Sequence, residues 1–176
     1  MSTGDLESQP AIVVLAGNSR QFSRTRAAAE RLAAALVAGS EPLRDHLVHT
    51  IDLAELGTRL LRAESAGTEY AIRRVTSADL LLVATPVFEG AYAGVLKVFL
   101  DRLPGGALAG IRTIPVTVSA AAAHRYAADR ALRPVLAELG ADVVPISFTL
   151  QELDLPDVEL LARTWVDSYA PAPQES

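Results

Sequence analysis

The segment from Ala11 to Gly39 constrains the fold more than any other, because a buried strand runs through one short polar loop into a helix. Residues 11–16 (AIVVLA) form an apolar run rich in β-branched side chains, which is typical of a strand covered on both faces. From the loop to Leu36 the composition is mostly Ala, Leu, Arg and Glu, which favour a helix, and Gly39 suits its end. A helix that begins there aims backbone N–H groups and the positive end of its dipole at the loop. The loop is therefore predicted to bind an anion, most often a phosphate.

The loop itself, residues 17–25 (GNSRQFSRT), narrows the kind of phosphate ligand. It contains neither G-x-x-x-x-G-K-[ST] nor G-x-G-x-x-G, which argues against a P-loop NTPase and against a Rossmann dinucleotide site. Asp52 ends the next strand as a ribose-binding acid would, but carries little weight without the glycine motif. One glycine followed by hydroxyl, amide and guanidinium side chains favours a terminal monophosphate. On this loop alone, an ordinary helix cap formed by Arg20 and Ser23 is the favoured interpretation, since serine is a common N-cap.

Apolar strands alternate with helical segments along the rest of the chain, which predicts right-handed βαβ crossovers and a parallel sheet. We expect one domain over residues 11–170, with tails at 1–10 and 171–176. Five strands at this length suit an α/β, three-layer, doubly wound, flavodoxin-like fold with strand order 2-1-3-4-5. Residues 54–68 are the least certain segment, and Pro115 is unfavourable within its strand. The other predicted strands are 47–53, 80–84, 111–118 and 142–148, and the predicted helices are 69–77, 93–103, 125–139 and 156–169.

Composition excludes several classes of function. The formal net charge is −5 with scattered arginines, which argues against nucleic acid and against an anionic membrane surface. No apolar run is long enough to span a bilayer and no signal peptide is visible, so a cytoplasmic protein is expected. Cysteine is absent, which removes disulfides, thiol nucleophiles and thiolate metal sites. A small-molecule partner is the simplest expectation, and no metal site is predicted.

Polar or small-residue turns follow three of the predicted strands, at residues 17–25, 85–90 and 119–123. In a doubly wound sheet, ligands bind at the carboxyl ends of the strands, at the switch point between the first and third strands. The three turns are therefore expected to form one site.

Two of these turns carry a family resemblance. Residues 17–20 (GNSR), with Ser23 and Thr25, resemble the G-S-x-R-x-x-S-x-[TN] phosphate loop of the NADPH-dependent FMN reductases. Residues 84–97 (ATPVFEGAYAGVLK) resemble that family's second signature, T-P-x-Y-x-x-S-x-x-G-x-L-K, and residues 99–101 (FLD) continue it. Residues 131–136 (ALRPVL) are similar to the late helix of the alkanesulfonate-utilisation reductases. The resemblance covers about residues 12–150.

The resemblance implies FMN bound at the switch point. NADPH, or NADH, would stack its nicotinamide on the exposed flavin face and deliver hydride to N5, with no catalytic side chain required. Three groups of residues match the family's flavin contacts: Asn18, Arg20, Ser23, Arg24 and Thr25 around the phosphate; Pro86, Val87, Phe88, Glu89 and Gly90 along the isoalloxazine ring; and Ser119, Ala120 and Ala121 at the ring's other edge.

Several of these positions depart from the family pattern. Asn18 replaces a serine and keeps a polar group, and Phe88 replaces a tyrosine and keeps a ring. Ala120 and Ala121 stand where glycine is common, which is expected to hinder close approach of the backbone to the ring edge.

The resemblance implies an NAD(P)H:FMN oxidoreductase that supplies reduced flavin to a separate flavin-dependent monooxygenase. The alternatives are an FMN-bound reductase of quinones, azo compounds or metal oxyanions, and a non-enzymatic flavin-binding electron carrier. The carrier ranks lower because the T/S-x-T-G-x-T loop of flavodoxins is absent. A binding protein without flavin is the remaining possibility.

The predicted helix at 93–103 is apolar nearly all round, which indicates that more than the sheet covers it. We expect a homodimer or homotetramer formed through this helix, in keeping with the family. Burial under residues 54–68 is the alternative.

The charge of Glu89 generates a first prediction. A carboxylate facing the ring disfavours an anionic reduced flavin, so it would weaken retention of reduced FMN. We expect Glu89→Gln to tighten binding of reduced FMN more than binding of oxidised FMN, measured by anaerobic titration of both forms. Unchanged affinities would contradict this hypothesis.

Overall fold

The computed structural model describes residues 11–169, which contain seven strands and six α-helices. The predicted tails, residues 1–10 and 171–176, lie outside the described residues, as does residue 170. The strands are β1 (Ala11–Ala16), β2 (Leu47–Asp52), β3 (Leu80–Phe88), β4 (Ala91–Tyr92), β5 (Arg112–Ser119), β6 (Asp142–Val143) and β7 (Phe148–Gln151). The helices are α1 (Arg24–Gly39), α2 (Leu53–Leu56), α3 (Ala66–Thr76), α4 (Gly94–Leu100), α5 (Ala127–Glu138) and α6 (Val158–Tyr169). Short 3-10 turns occupy Glu41–Leu43, Gly57–Leu61, Ala122–His124 and Glu152–Asp157.

The central sheet has the order β2-β1-β3-β5-β6, with all of these neighbours parallel. β7 also pairs in parallel with β5, so β6 and β7 together fill the fifth position. This arrangement confirms the predicted flavodoxin-like order 2-1-3-4-5. β4 is an addition that the sequence did not predict, and it pairs antiparallel with the end of β3.

The fifth strand differs from its prediction, because residues 142–148 do not form one strand. Pro145 has no N–H for a ladder, and the carbonyls of Val144 and Pro145 accept hydrogen bonds from the Arg133 side chain at 2.8 and 3.1 Å. The guanidinium therefore takes the place of a strand partner, and the strand divides into β6 and β7.

Pro115 fits inside β5 for a related reason. The backbone of Thr113, two residues earlier, points toward the fifth strand of the sheet, since its carbonyl accepts a hydrogen bond from the Val144 N–H. The backbone nitrogen of Pro115 points the same way, into the gap between β6 and β7, so its missing N–H costs no hydrogen bond of the sheet.

Alternate side chains of β1 divide the core into two layers. Val13 and Leu15 belong to a cluster with residues of α3, α4 and α5, while Ile12 and Val14 belong to one with residues of α1 and α6. All four side chains are fully buried, as expected for a strand with helices on both sides.

The uncertain segment at 54–68 packs beside α4. Arg102 holds it there by donating from Nη1 to the Leu60 carbonyl and from Nη2 to the Ala63 carbonyl, both at 3.0 Å. Within α4, Val95 and Val98 are only half-buried and pack against the same core. The predicted homodimer or homotetramer stays a prediction. No helix within residues 11–169 has the length and apolar character needed to cross a membrane.

Gly17 connects the sheet to the loop and to α4. Its N–H donates to the Ala84 carbonyl at 2.7 Å, which joins the end of β1 to β3. A Cβ at this position would lie 2.7 Å from Cβ of Leu96, closer than real Cβ contacts. Glycine is required here because α4 packs directly against the backbone.

We expect Gly17→Ala to lower the free energy of unfolding by about 1–3 kcal/mol, because α4 or the loop must move. Gly94→Ala is the matched control, since a Cβ there meets nothing within 4 Å. It should leave stability unchanged or raise it by about 0.4–1 kcal/mol. Urea denaturation measures both changes, and equal stabilities of the two variants would contradict this account of Gly17.

Candidate active site

The N-terminus of α1 presents backbone donors to the loop after β1. Ser23 is the N-cap, and its Oγ accepts from the Arg26 N–H at 3.2 Å. This contact confirms that Ser23 is a helix N-cap. Within residues 11–169, the N–H groups of Arg24 and Thr25 have no hydrogen-bond acceptor. These two donors point out of the first turn of a 16-residue helix, which is an anion-binding arrangement.

Asn18 and Arg20 shape the first half of the loop. The buried Asn18 side chain accepts from the Arg20 N–H through Oδ1 at 3.1 Å, which closes a local turn. Arg20 is exposed, and its guanidinium forms no hydrogen bond or ion pair with any residue in the described range. That guanidinium is therefore available to a ligand.

The second half of the loop is held from below by Asp52. Phe22 has a φ of +50°, which is unfavourable for a bulky residue. Its N–H donates to Oδ2 of Asp52 at 3.3 Å. The Asp52 side chain is 1% exposed, and it also accepts from the Ala54 N–H at 3.0 Å and from Nη1 of Arg26 at 3.1 Å.

Arg26 supports the loop and is not placed to bind a ligand. Its guanidinium binds Glu30 at 2.9 Å and Glu55 at 3.2 Å as well as Asp52, and it lies 5.0 Å from the centroid of the Phe22 ring. Burial lowers the pKa of Arg26, but the hydrogen bonds with Glu30 and Asp52 outweigh that effect and leave it raised. Its charge is committed to this network.

The turn predicted at residues 85–90 is shorter in the structure, because residues 85–88 continue β3 and only Glu89 and Gly90 connect it to β4 in a tight hairpin. Glu89 and Gly90 both have positive φ values, +47° and +75°, as in a type I′ turn. Glu89 is exposed at the tip of this hairpin. At the base of the hairpin, the buried Thr85 accepts from the Ala93 N–H at 2.9 Å, which fixes the start of α4.

The turn after β5 is built on a buried serine. Ser119 donates through Oγ to the carbonyls of Ala121 and Leu150, at 3.2 and 3.4 Å, so this hydroxyl holds the turn. Ala120 and Ala121 are exposed, and neither has a positive φ. The backbone of this turn therefore does not require glycine.

A cleft of about 310 Å³ joins the loop, the end of β3 and the end of β5. Seven of the thirteen predicted site residues line it. The predicted residues on its wall are Asn18, Arg20, Ser23, Arg24, Thr25, Pro86 and Phe88, and those outside it are Val87, Glu89, Gly90, Ser119, Ala120 and Ala121. Sequence reasoning missed Gln21, Phe22, Val118 and Glu152 on the wall.

Glu152 reaches the cleft from the far end of the chain. It follows β7, and its Oε1 lies 2.8 Å from Nη2 of Arg24. The two residues are 128 positions apart, so no local pattern could have joined them. Gln21 and Phe22, in contrast, lie within the predicted loop and could have been included on position alone.

Volume alone does not select this cleft, since a depression of about 470 Å³ lies beside α1 and α6. The donor set selects it. Two helix N–H groups and the Arg20 guanidinium suit a phosphomonoester, and Phe88, Pro86 and Val118 supply an adjoining apolar surface. The residues present therefore fit FMN, which combines a terminal phosphate with a planar ring.

We expect Asp52→Asn to loosen the loop, because an amide cannot accept all three hydrogen bonds. The free energy of unfolding should fall by about 1.5–3 kcal/mol, and the Phe22 amide should exchange faster with solvent. Glu55→Gln is the control, since it removes only the half-exposed partner of Arg26 and should cost at most about 1 kcal/mol. Equal effects of both variants would contradict the role given to Asp52.

Comparison with known proteins shows the family of this chain. Residues 10–153 match the family model of NADPH-dependent FMN reductases. An NADH-dependent FMN reductase, SfnF of Pseudomonas fluorescens, is 32% identical over 86% of this chain and 82% of its own length. An FMN reductase (NADPH) of Pseudomonas aeruginosa is 29% identical over 86% and 82%.

A solved structure extends the match to three dimensions. The apo form of the NADH:FMN oxidoreductase EmoB superposes with a TM-score of 0.76 at 32% identity, covering 94% of this chain and 92% of that one. The family model spans most of the chain, including all three turns of the site. The chain therefore belongs to the NADPH-dependent FMN reductase family and is an oxidoreductase of that family.

Proposed function

We propose that this protein catalyses the reduction of FMN by NADPH or NADH in the cleft between the loop and the β3–β4 hairpin. One observation carries the proposal. The Arg24 and Thr25 N–H groups lack acceptors among residues 11–169, at the same switch point where Arg20 presents its guanidinium. This donor set suits the phosphate that distinguishes FMN from riboflavin.

The chain's own residues bind and orient the flavin. The N-terminus of α1 and the two exposed arginines, Arg20 and Arg24, hold the phosphate by charge-assisted hydrogen bonds. Pro86 and Phe88 provide the surface along the ring, and Val118 lies in the wall between them and Glu152. When bound, FMN supplies the redox chemistry by accepting hydride from NAD(P)H at N5.

No side chain in the cleft is assigned an acid or base role. The buried hydroxyl of Ser119 is engaged with two carbonyls, and Thr85 is engaged with Ala93. Both residues hold the shape of turns that border the cleft. Catalysis then depends on positioning, which is what a hydride transfer between two bound cofactors requires.

We further propose that reduced FMN leaves the site and serves a separate flavin-dependent monooxygenase. The exposed phosphate loop supports this, since the Arg24 side chain is 66% exposed and Phe22 is 76% exposed. Such a site exchanges its ligand with solvent more readily than an enclosed one.

The test is oxidation of NADPH and NADH by the purified protein with FMN, FAD or riboflavin titrated in. Saturable turnover that prefers FMN is expected. Arg20→Ala should raise KM for FMN by about tenfold to a hundredfold and leave riboflavin turnover unchanged, because riboflavin lacks the phosphate.

Arg31→Ala is the control for this experiment, since Arg31 lies on the same helix and pairs with Glu159 outside the cleft. No flavin reduction, or equal losses with FMN and riboflavin, would overturn the proposal. Quinone or azo acceptors reduced without added free FMN would favour a bound-FMN reductase instead.

A further inference from the structure

The cleft wall carries a carboxylate at a position that opposes phosphate binding. Of the eleven described residues that line the cleft, only Glu152 is acidic. Its Oε1 lies 2.8 Å from Nη2 of Arg24, the first residue of α1. The Glu152 carboxylate therefore pairs with one of the two guanidinium groups that face the predicted phosphate site.

The position of Glu152 is set by the backbone around it. Its neighbour Gln151 forms a capping box with Asp154, in which the Gln151 N–H donates to Oδ2 of Asp154 at 2.8 Å. Gln151 is also in register with Ser119 at the end of β5. Arg125 strengthens the segment by donating to the Thr149 carbonyl at 2.8 Å. These contacts keep the Glu152 backbone at the edge of the cleft.

We propose that Glu152 weakens the hold of the cleft on the FMN phosphate, by competing for Arg24 and by repelling the dianion. The inference rests on the proposed function and names Glu152 as a residue that controls how readily FMN leaves the cleft. The phosphate must displace the carboxylate from Arg24 and then lie close to it, and both effects oppose binding.

The exposure of the pair sets the size of the effect. The Arg24 and Glu152 side chains are 66% and 43% exposed, so solvent screens their interaction. Removing the carboxylate's charge should therefore tighten FMN binding by about three- to tenfold. The structure thus favours an FMN that enters and leaves over one held permanently.

The proposed effect acts on the phosphate and not on the ring, so a comparison of different flavins can identify it. Riboflavin lacks the phosphate, so its affinity should not depend on Glu152. The phosphate is the same in oxidised and reduced FMN, so both forms should respond equally. A carboxylate acting on the ring, as predicted for Glu89, would instead change the two redox forms unequally.

A purely structural role for Glu152 makes a different prediction. Arg24 and Glu152 join the start of α1 to the segment after β7. If the pair only holds these elements together, Glu152→Gln would lower stability or change both flavins alike. The neutral, similarly sized glutamine keeps a hydrogen-bond acceptor for Arg24, which limits such damage.

The experiment is isothermal titration calorimetry of FMN and riboflavin into wild type, Glu152→Gln and Glu159→Gln. Glu159 is the matched control, because it pairs with Arg31 at 2.9 Å, is 61% exposed, and lies outside the cleft. We expect the Kd for FMN to fall three- to tenfold in Glu152→Gln only, with riboflavin unchanged. The difference should shrink at high ionic strength.

An unchanged or raised Kd for FMN in Glu152→Gln, with wild type binding FMN, would overturn this inference alone. An equal change for riboflavin would also overturn it. Wild-type protein that binds neither flavin would overturn the proposed function, and this inference with it. Urea midpoints of the variants show whether a change in affinity reflects a change in folding.

Discussion

The buried carboxylate of Asp52 is the constraint on which the site depends. It joins the N–H of Phe22 in the loop, the N–H of Ala54 in α2, and the guanidinium of Arg26 in α1. A carboxylate that accepts several hydrogen bonds in a buried position is costly to disturb. It therefore fixes the loop against the end of β2 and maintains the positive φ of Phe22. The backbone donors at the start of α1 are oriented as a result.

The arginines near the cleft differ in how fully protein carboxylates engage them. Arg26 is surrounded by three carboxylates and is committed to the fold, whereas Arg20 has no partner among residues 11–169. Arg24 lies between these cases, since it holds a partner that an anion could displace. In the proposed function, this gradation would attract a phosphate to the cleft without the enclosed, fully satisfied environment that retains one permanently. A reductase that releases reduced FMN, as we propose, would benefit from that balance.

Most of the fold could be predicted because its cause is local. The apolar strands and amphipathic helices follow from the periodicity of neighbouring residues, and strand order follows from βαβ handedness. The exceptions have long-range causes. Arg133 of α5 breaks the fifth strand by binding the carbonyls of Val144 and Pro145, and the same gap accommodates Pro115. Residues 54–68 have no clear hydrophobic period. Contacts with Arg102 set their position instead.

The sequence by itself determined the sheet, the passage from the first strand through the polar loop into the first helix, and the family, because each depends on residues that are close together in the chain. It also placed the three turns at one edge, since parallel strands end on the same side. Only the tertiary structure decided which side chains are held by distant protein partners and which line the cleft. Phe22 meets Asp52 across 30 positions and Arg24 meets Glu152 across 128. Such pairs depend on how distant elements pack, and short-range patterns carry no information about them.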